Sequence, residues 1–175
     1  MAPEASPALG PRRYAVMPFL NDTARKNAGD LVSLGFVAGL ARAPGIEVLE
    51  PGVVREALLR TRLVQSDGIS LPQAALLREI LDVDVVVTGR VAEWEESAGE
   101  GAGAPRVAFT ARGIDTRRSQ VVWTAFAGRR GDEGVFFFGA GRIRTANELL
   151  HEEVLGAIDR VVDEMQRAAA SKGGR

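Results

Sequence analysis

The chain changes its hydrophobic period part-way along, and that change most constrains what it can fold into. Between residues 24 and 43, Ala28, Leu31, Val32, Phe36, Val37 and Leu40 recur at helical spacing, and Pro44 with Gly45 ends the pattern. Beyond residue 105 the period is two: Val107, Phe109 and Ala111 alternate with Ala108, Thr110 and Arg112. After the polar turn 115–119, Val121, Trp123 and Ala125 alternate with Val122, Thr124 and Phe126. Crossover helices therefore belong to the first half and an antiparallel meander to the second.

The remaining elements fill this frame. Tyr14 to Phe19 is a short apolar run followed by Asn21, Asp22 and Thr23, a buried strand leading into a turn. Ile46 to Leu49 is a second short strand, and Pro51 opens a helix on which Val54, Ala57 and Leu58 share a face. A loop around Ser66, Asp67 and Gly68 follows. Ser70 and Gln73 have the spacing of a capping box ahead of Leu76, Leu77, Ile80 and Leu81. Val83 to Trp94 sets Val85, Val87 and Val91 on one side of a strand, and the Gly/Ala-rich stretch 97–105 connects it to the next. Thr145 and Glu148 repeat the capping pattern before a terminal helix striped by Leu150, Val154, Ile158, Val161 and Met165. The predicted fold class is α/β, a single domain with a mixed sheet in the order βαβααβββα and helices packed against it. Val16, Phe36, Val85, Val87, Phe109, Trp123 and Ile158 are expected in one core. Residues 1–12, rich in Pro and Ala, read as a flexible lead-in, 13–168 as the domain and 169–175 as a disordered tail.

Composition narrows the chemistry. At 175 residues, 46% hydrophobic and 26% charged, the chain has the apolar content of one globular domain. A formal net charge of -1 gives no long-range positive field for phosphates, so no nucleic-acid partner is expected. The absence of cysteine excludes disulfides, thiolate metal sites and a thiol nucleophile in this sequence. No run approaches the roughly 18 apolar residues of a membrane helix. The start has neither a basic nor an apolar region of a signal peptide, which leaves a cytoplasmic protein or one whose secretion signal lies upstream.

Candidate chemical residues are few. His151, the single histidine, sits beside Glu152 and Glu153 on a predicted helix and reads as a surface residue rather than a base. Glu93, Glu95 and Glu96 could hold a cation, but a solvated strand end explains them as well. Gly139, Ala140 and Gly141 are only a fragment of a nucleotide-binding fingerprint. No catalytic residue, cofactor or metal is expected. Arg112, Arg117, Arg118, Arg129 and Arg130 offer a basic patch for an acidic partner, or simply protect exposed strands from pairing with other chains. Phe136, Phe137 and Phe138 stand in a row within the glycine-bounded segment 131–141. Three adjacent rings cannot all follow one face of a strand, so either they fold under the terminal helix or at least one remains for a neighbour. Phe136, Phe137, Phe138, Arg129 and Arg130 are the candidate partner-binding residues.

Three segments carry a resemblance. Ala15 to Phe19, Leu81 to Gly89 and Ile114 to Trp123 resemble the first strand, the acidic turn with its valine run, and the Asp-Thr hairpin leading to tryptophan of one family. That family includes CsgG, the TolB amino-terminal domain, the flagellar protein FlgO and the penicillin-binding-protein activator LpoB. The resemblance implies a non-enzymatic accessory or assembly subunit of the bacterial envelope, periplasmic and outer-membrane-associated. It would act through protein partners and form a homo-oligomeric ring, with any lipid tether supplied by a segment upstream of Met1. The chain departs from the secretion-channel members, since no long pair of alternating strands could add a membrane hairpin. The alternative is a cytoplasmic ligand-sensing or regulatory module on the same fold; a metal-dependent hydrolase built on Asp or Glu clusters is a third reading.

Overall fold

Pro18 has no N–H to donate, and the first strand, β1 (Arg12–Val16), ends just before it. The computed structural model describes residues 12–65, 67–96, 104–130 and 145–172. Beyond Pro18 the chain resumes pairing as the two-residue β2 (Leu20–Asn21), so the run read as one strand is two short ones. Helix α1 (Ala28–Leu40) starts later than the periodicity suggested. The cause is Asn21, whose side-chain amide donates to the carbonyl of Arg25 while its oxygen accepts from the Thr23 N–H and hydroxyl, holding 21–27 in a turn. Then come β3 (Ile46–Val48), α2 (Pro51–Thr61), α3 (Leu71–Leu81), β4 (Val85–Glu95), β5 (Arg106–Asp115), β6 (Gln120–Arg130) and α4 (Ala146–Lys172). Apart from β2 this is the expected order, and α4 runs past Ala168 into the stretch read as a tail.

The sheet is mixed, in the order β3-β1-β4-β5-β6, with β2 paired to β4. β1 runs parallel to β3 and β4, while β4, β5 and β6 form the antiparallel meander. α1 and α4 cover one face. There Phe36 lies 5.3 Å from Phe19 and meets Phe109 edge-on at 5.7 Å between ring centroids. All seven residues expected in one core, from Val16 to Ile158, lie in this cluster. α2 and α3 bury a second cluster on the opposite face, built on Met17, Ile69, Leu77, Val86 and Ile114.

Two irregularities re-aim side chains. The register of β4 against β5 shifts between Val91 and Glu93, which brings Trp94 onto the core side. The register of β5 against β6 shifts at Ile114, so Val121, expected inside with Trp123, is 44% exposed, while Val122 packs against the core. The capping box forms as read, with the Ser70 N–H donating to Gln73 Oε1 at 2.8 Å and the Gln73 N–H to Ser70 Oγ at 3.4 Å. Of the apolar residues that follow it, Leu76 and Ile80 are exposed, while Ala74, Leu77 and Leu81 make the buried stripe of α3.

The three segments that carry the family resemblance are neighbours in the sheet, with Ala15 opposite Val86 and Val86 opposite Ile114, and polar contacts close the end beside them. The Arg13 N–H donates to Asp84, the Thr116 hydroxyl to the carbonyl of Val83 at 2.6 Å, and Arg12 pairs with Asp115 at 3.1 Å. Asp115 also accepts from the N–H groups of Arg117 and Arg118, which closes the β5–β6 turn. Asp84, Thr116 and Asp115 are scaffolding: each satisfies backbone groups where strands begin or end.

Candidate functional site

The helices cover the two faces of the sheet unequally. On the α1/α4 side Val107, Phe109, Ala111, Trp123, Ala125 and Ala127 are all buried. On the other side α2 and α3 protect the parallel half, but Thr110, Thr124 and Phe126 on β5 and β6 are exposed, Phe126 at 67%. β6 is also an edge strand of eleven residues. Among the described residues this leaves a phenyl ring on an open sheet face beside a long unpaired edge, an arrangement that is costly in water and suited to a partner.

Next to this open face is a pocket of about 230 Å³ whose walls include Leu20, Asp67, Gly68, Thr88, Arg112 and Thr124. Alternation puts it there. Thr88, Arg112 and Thr124 are cross-strand partners along one row of β4, β5 and β6, and Arg90 and Thr110 form the next cross-strand pair of that face. The Arg112 guanidinium is half-buried and donates to the carbonyl of Ile69 at 2.9 Å. Arg90 at the rim is held by both oxygens of Asp22, at 2.7 and 2.8 Å, with Asp67 at 3.7 Å.

A second cleft of about 270 Å³, mostly apolar, lies between α1 and α4 and has His151 in its wall. His151 itself is exposed, as the sequence suggested. The glutamates of β4 are engaged with arginines. Glu93 and Glu95 both lie 3.7 Å from Arg106, and Glu96 pairs with Arg25 at 2.6 Å. Glu96 also accepts from the indole N–H of Trp94 and the backbone N–H of Ala146, so it anchors the start of α4, while Arg25 stacks over the Trp94 ring at 4.9 Å. Among the described residues no grouping of three or more His, Asp or Glu is placed to hold a metal ion.

The five arginines do not form one patch. Arg117 and Arg118 sit at the β5–β6 turn, Arg112 in mid-strand, and Arg129 and Arg130 at the far end of β6 opposite Val107 and Arg106. The side chains of Arg129 and Arg130, and all of Phe136, Phe137 and Phe138, lie outside the described residues. The ring that is seen exposed is Phe126, which sequence reading treated only as the outward partner of Ala125. The pocket was missed altogether. Its one sequence signal was the run of Thr and Arg on the off-core phase of three neighbouring strands.

No family model matches the chain, and no curated protein matches it. Solved structures do match. The dodecamer of a PelC variant from Paraburkholderia phytofirmans superposes with a TM-score of 0.60 at 20% identity, over 89% of this chain and 91% of that one. The fold is LpoB-like. The NMR structure of LpoB from E. coli matches with a TM-score of 0.51 at 11% identity, over 68% of this chain and 56% of that one. Lipoprotein GNA1162 from Neisseria meningitidis gives 0.56 at 21% identity, over 87% and 99%. At such identities the likeness is one of fold.

Proposed function

We propose that this chain is a non-enzymatic accessory or assembly subunit of the bacterial envelope that works through protein–protein contacts, including contacts between its own copies. The observation that carries the reading is the half of the sheet left uncovered by the described residues, where Phe126 stands 67% exposed on β6, an edge strand among them. The PelC structure that shares this fold is a dodecamer and GNA1162 is a lipoprotein, which supports both self-association and an envelope setting. The wider kinship with CsgG, the TolB amino-terminal domain and FlgO, read from the resemblance of three segments of the sequence, is part of the same proposal.

Sedimentation velocity across a concentration series, with fractionation of cells carrying the tagged native gene, tests it. A discrete oligomer and recovery in the periplasmic or outer-membrane fraction are expected. A monomer at every concentration, recovered from the cytosol, overturns the proposal and leaves the cytoplasmic regulatory module in its place.

A further inference from the structure

We propose that the pocket beneath the Asp67–Gly68 turn is a binding site for a carboxylate group, held by the guanidinium of Arg112 and the hydroxyl of Thr88. Two independent features of the pocket point to an anionic acceptor. Thr88 is only 2% exposed, and its Oγ1 is buried with no hydrogen-bond partner among the described residues. An orphaned buried hydroxyl costs folding free energy, and a ligand oxygen in the pocket supplies the acceptor it lacks. The second feature is Arg112. Its single hydrogen bond goes to a neutral carbonyl, that of Ile69, and among the described residues no carboxylate lies within 4.0 Å of it. A half-buried guanidinium with most of its five N–H donors uncommitted and no counter-ion is poised for an anion.

The surroundings select among anions. Arg90, the other cation of the rim, is already met by Asp22 and approached by Asp67. A doubly charged phosphate would face those two carboxylates while gaining one free guanidinium, whereas a singly charged planar carboxylate matches the fork of Arg112 and is repelled less. The size fits a small group: about 230 Å³ is below the range usual for drug-sized or nucleotide ligands. Access is governed by Gly68, which has φ of +89° and lies directly over Thr88; a Cβ there would stand 3.3 Å from Oγ1. The carboxylate can belong to a free small acid or to an acidic side chain of a polypeptide lying on the open sheet. The site depends on neither oligomerisation nor location, so it stands or falls separately from the envelope reading.

Titration of the ¹⁵N-labelled full chain, followed by the amide signals of Gly68 and of Gly89, which also lines the pocket, and by the Nε–H of Arg112, tests it. The probes are sodium acetate and a blocked peptide with one glutamate, with sodium phosphate and sodium chloride as controls. Both carboxylates are expected to move these signals; tighter binding of the peptide identifies a polypeptide source, and equal binding a free acid. Arg112→Gln should weaken binding about tenfold or more, the worth of a charge-assisted hydrogen bond. Thr88→Val, nearly isosteric, should weaken it several-fold without lowering the melting temperature, which keeps the test valid if the arginine variant folds poorly. No response to either carboxylate, an equal response to phosphate or chloride, or unchanged affinity in the valine variant overturns the assignment.

Discussion

Gly113 on β5 and Trp123 on β6 are direct cross-strand partners, and the indole lies over the glycine, so that any Cβ at 113 would enter the space of Nε1 and Cε2. Trp123 is also part of the core that α4 covers. Trp123→Ala should therefore cost about 3–5 kcal/mol through lost burial and a residual cavity. Gly113→Ala should cost about 1–3 kcal/mol through overpacking. Urea denaturation of both variants checks this; a neutral Gly113→Ala would mean that the indole is free to move aside.

The β5–β6 turn depends on Asp115, whose carboxylate accepts from the N–H groups of Arg117 and Arg118 at 3.0 and 2.9 Å and from Arg12 at 3.1 Å. Removing it strands two turn donors and one cation. Asp115→Ala is expected to cost about 1–3 kcal/mol, and Asp115→Asn less because one acceptor oxygen remains. Hydrogen exchange gives the sharper readout: the amides of Arg117 and Arg118 should lose protection before the rest of the meander does.

Tyr14 ties stability to alkaline pH. Burial pushes its hydroxyl above the ordinary 10.0, outweighing the opposite pull of Arg12. The hydroxyl donates to Met165 Sδ at 3.3 Å. Since the folded pKa is raised, the unfolded chain loses its proton first as pH rises. The contribution is thus fully present below the unfolded value and lost as pH climbs through the folded one. Melting temperatures measured across and above pH 10.0 should fall for the native chain and fall less for Tyr14→Phe; parallel curves would rule out Tyr14 as the group responsible.

Much of the fold was legible because its signals are local. Pro51 at a helix start, the Ser70–Gln73 box and the two-residue period of β5 act within a few residues, and each formed where the sequence placed it. What was not legible depends on partners distant in sequence. Trp94 is buried and Val121 exposed because register shifts interrupt simple alternation, and nothing near either residue announces them. Which of the apolar residues of α3 are buried was not legible for a related reason: Leu76 and Ile80 are exposed and Leu77 and Leu81 buried because only the position of the sheet decides which side is inside. The pocket is harder still. Thr88, Arg112, Thr124 and Asp67 become neighbours only once three strands and the turn before α3 are assembled.

The open sheet face yields the prediction most directly tied to function. Phe126 lies between exposed Thr124 and Gly128 on the side of β6 that no described helix covers and faces Thr110 across the ladder, so its ring makes little of the core and can be removed at small cost to folding. Exposed aromatic rings are effective interface anchors because they offer large contact area with few rotors to immobilise. Phe126→Ser should therefore weaken self-association, seen as a shift of the sedimentation profile toward smaller species, while the melting temperature of the monomer changes little. Leu59→Ser is the control: Leu59 is 74% exposed on α2, away from β6, and its loss should leave the profile unchanged. If Phe126→Ser leaves the assembly intact and Leu59→Ser disrupts it, the contact surface lies on the helices and the uncovered sheet serves another purpose.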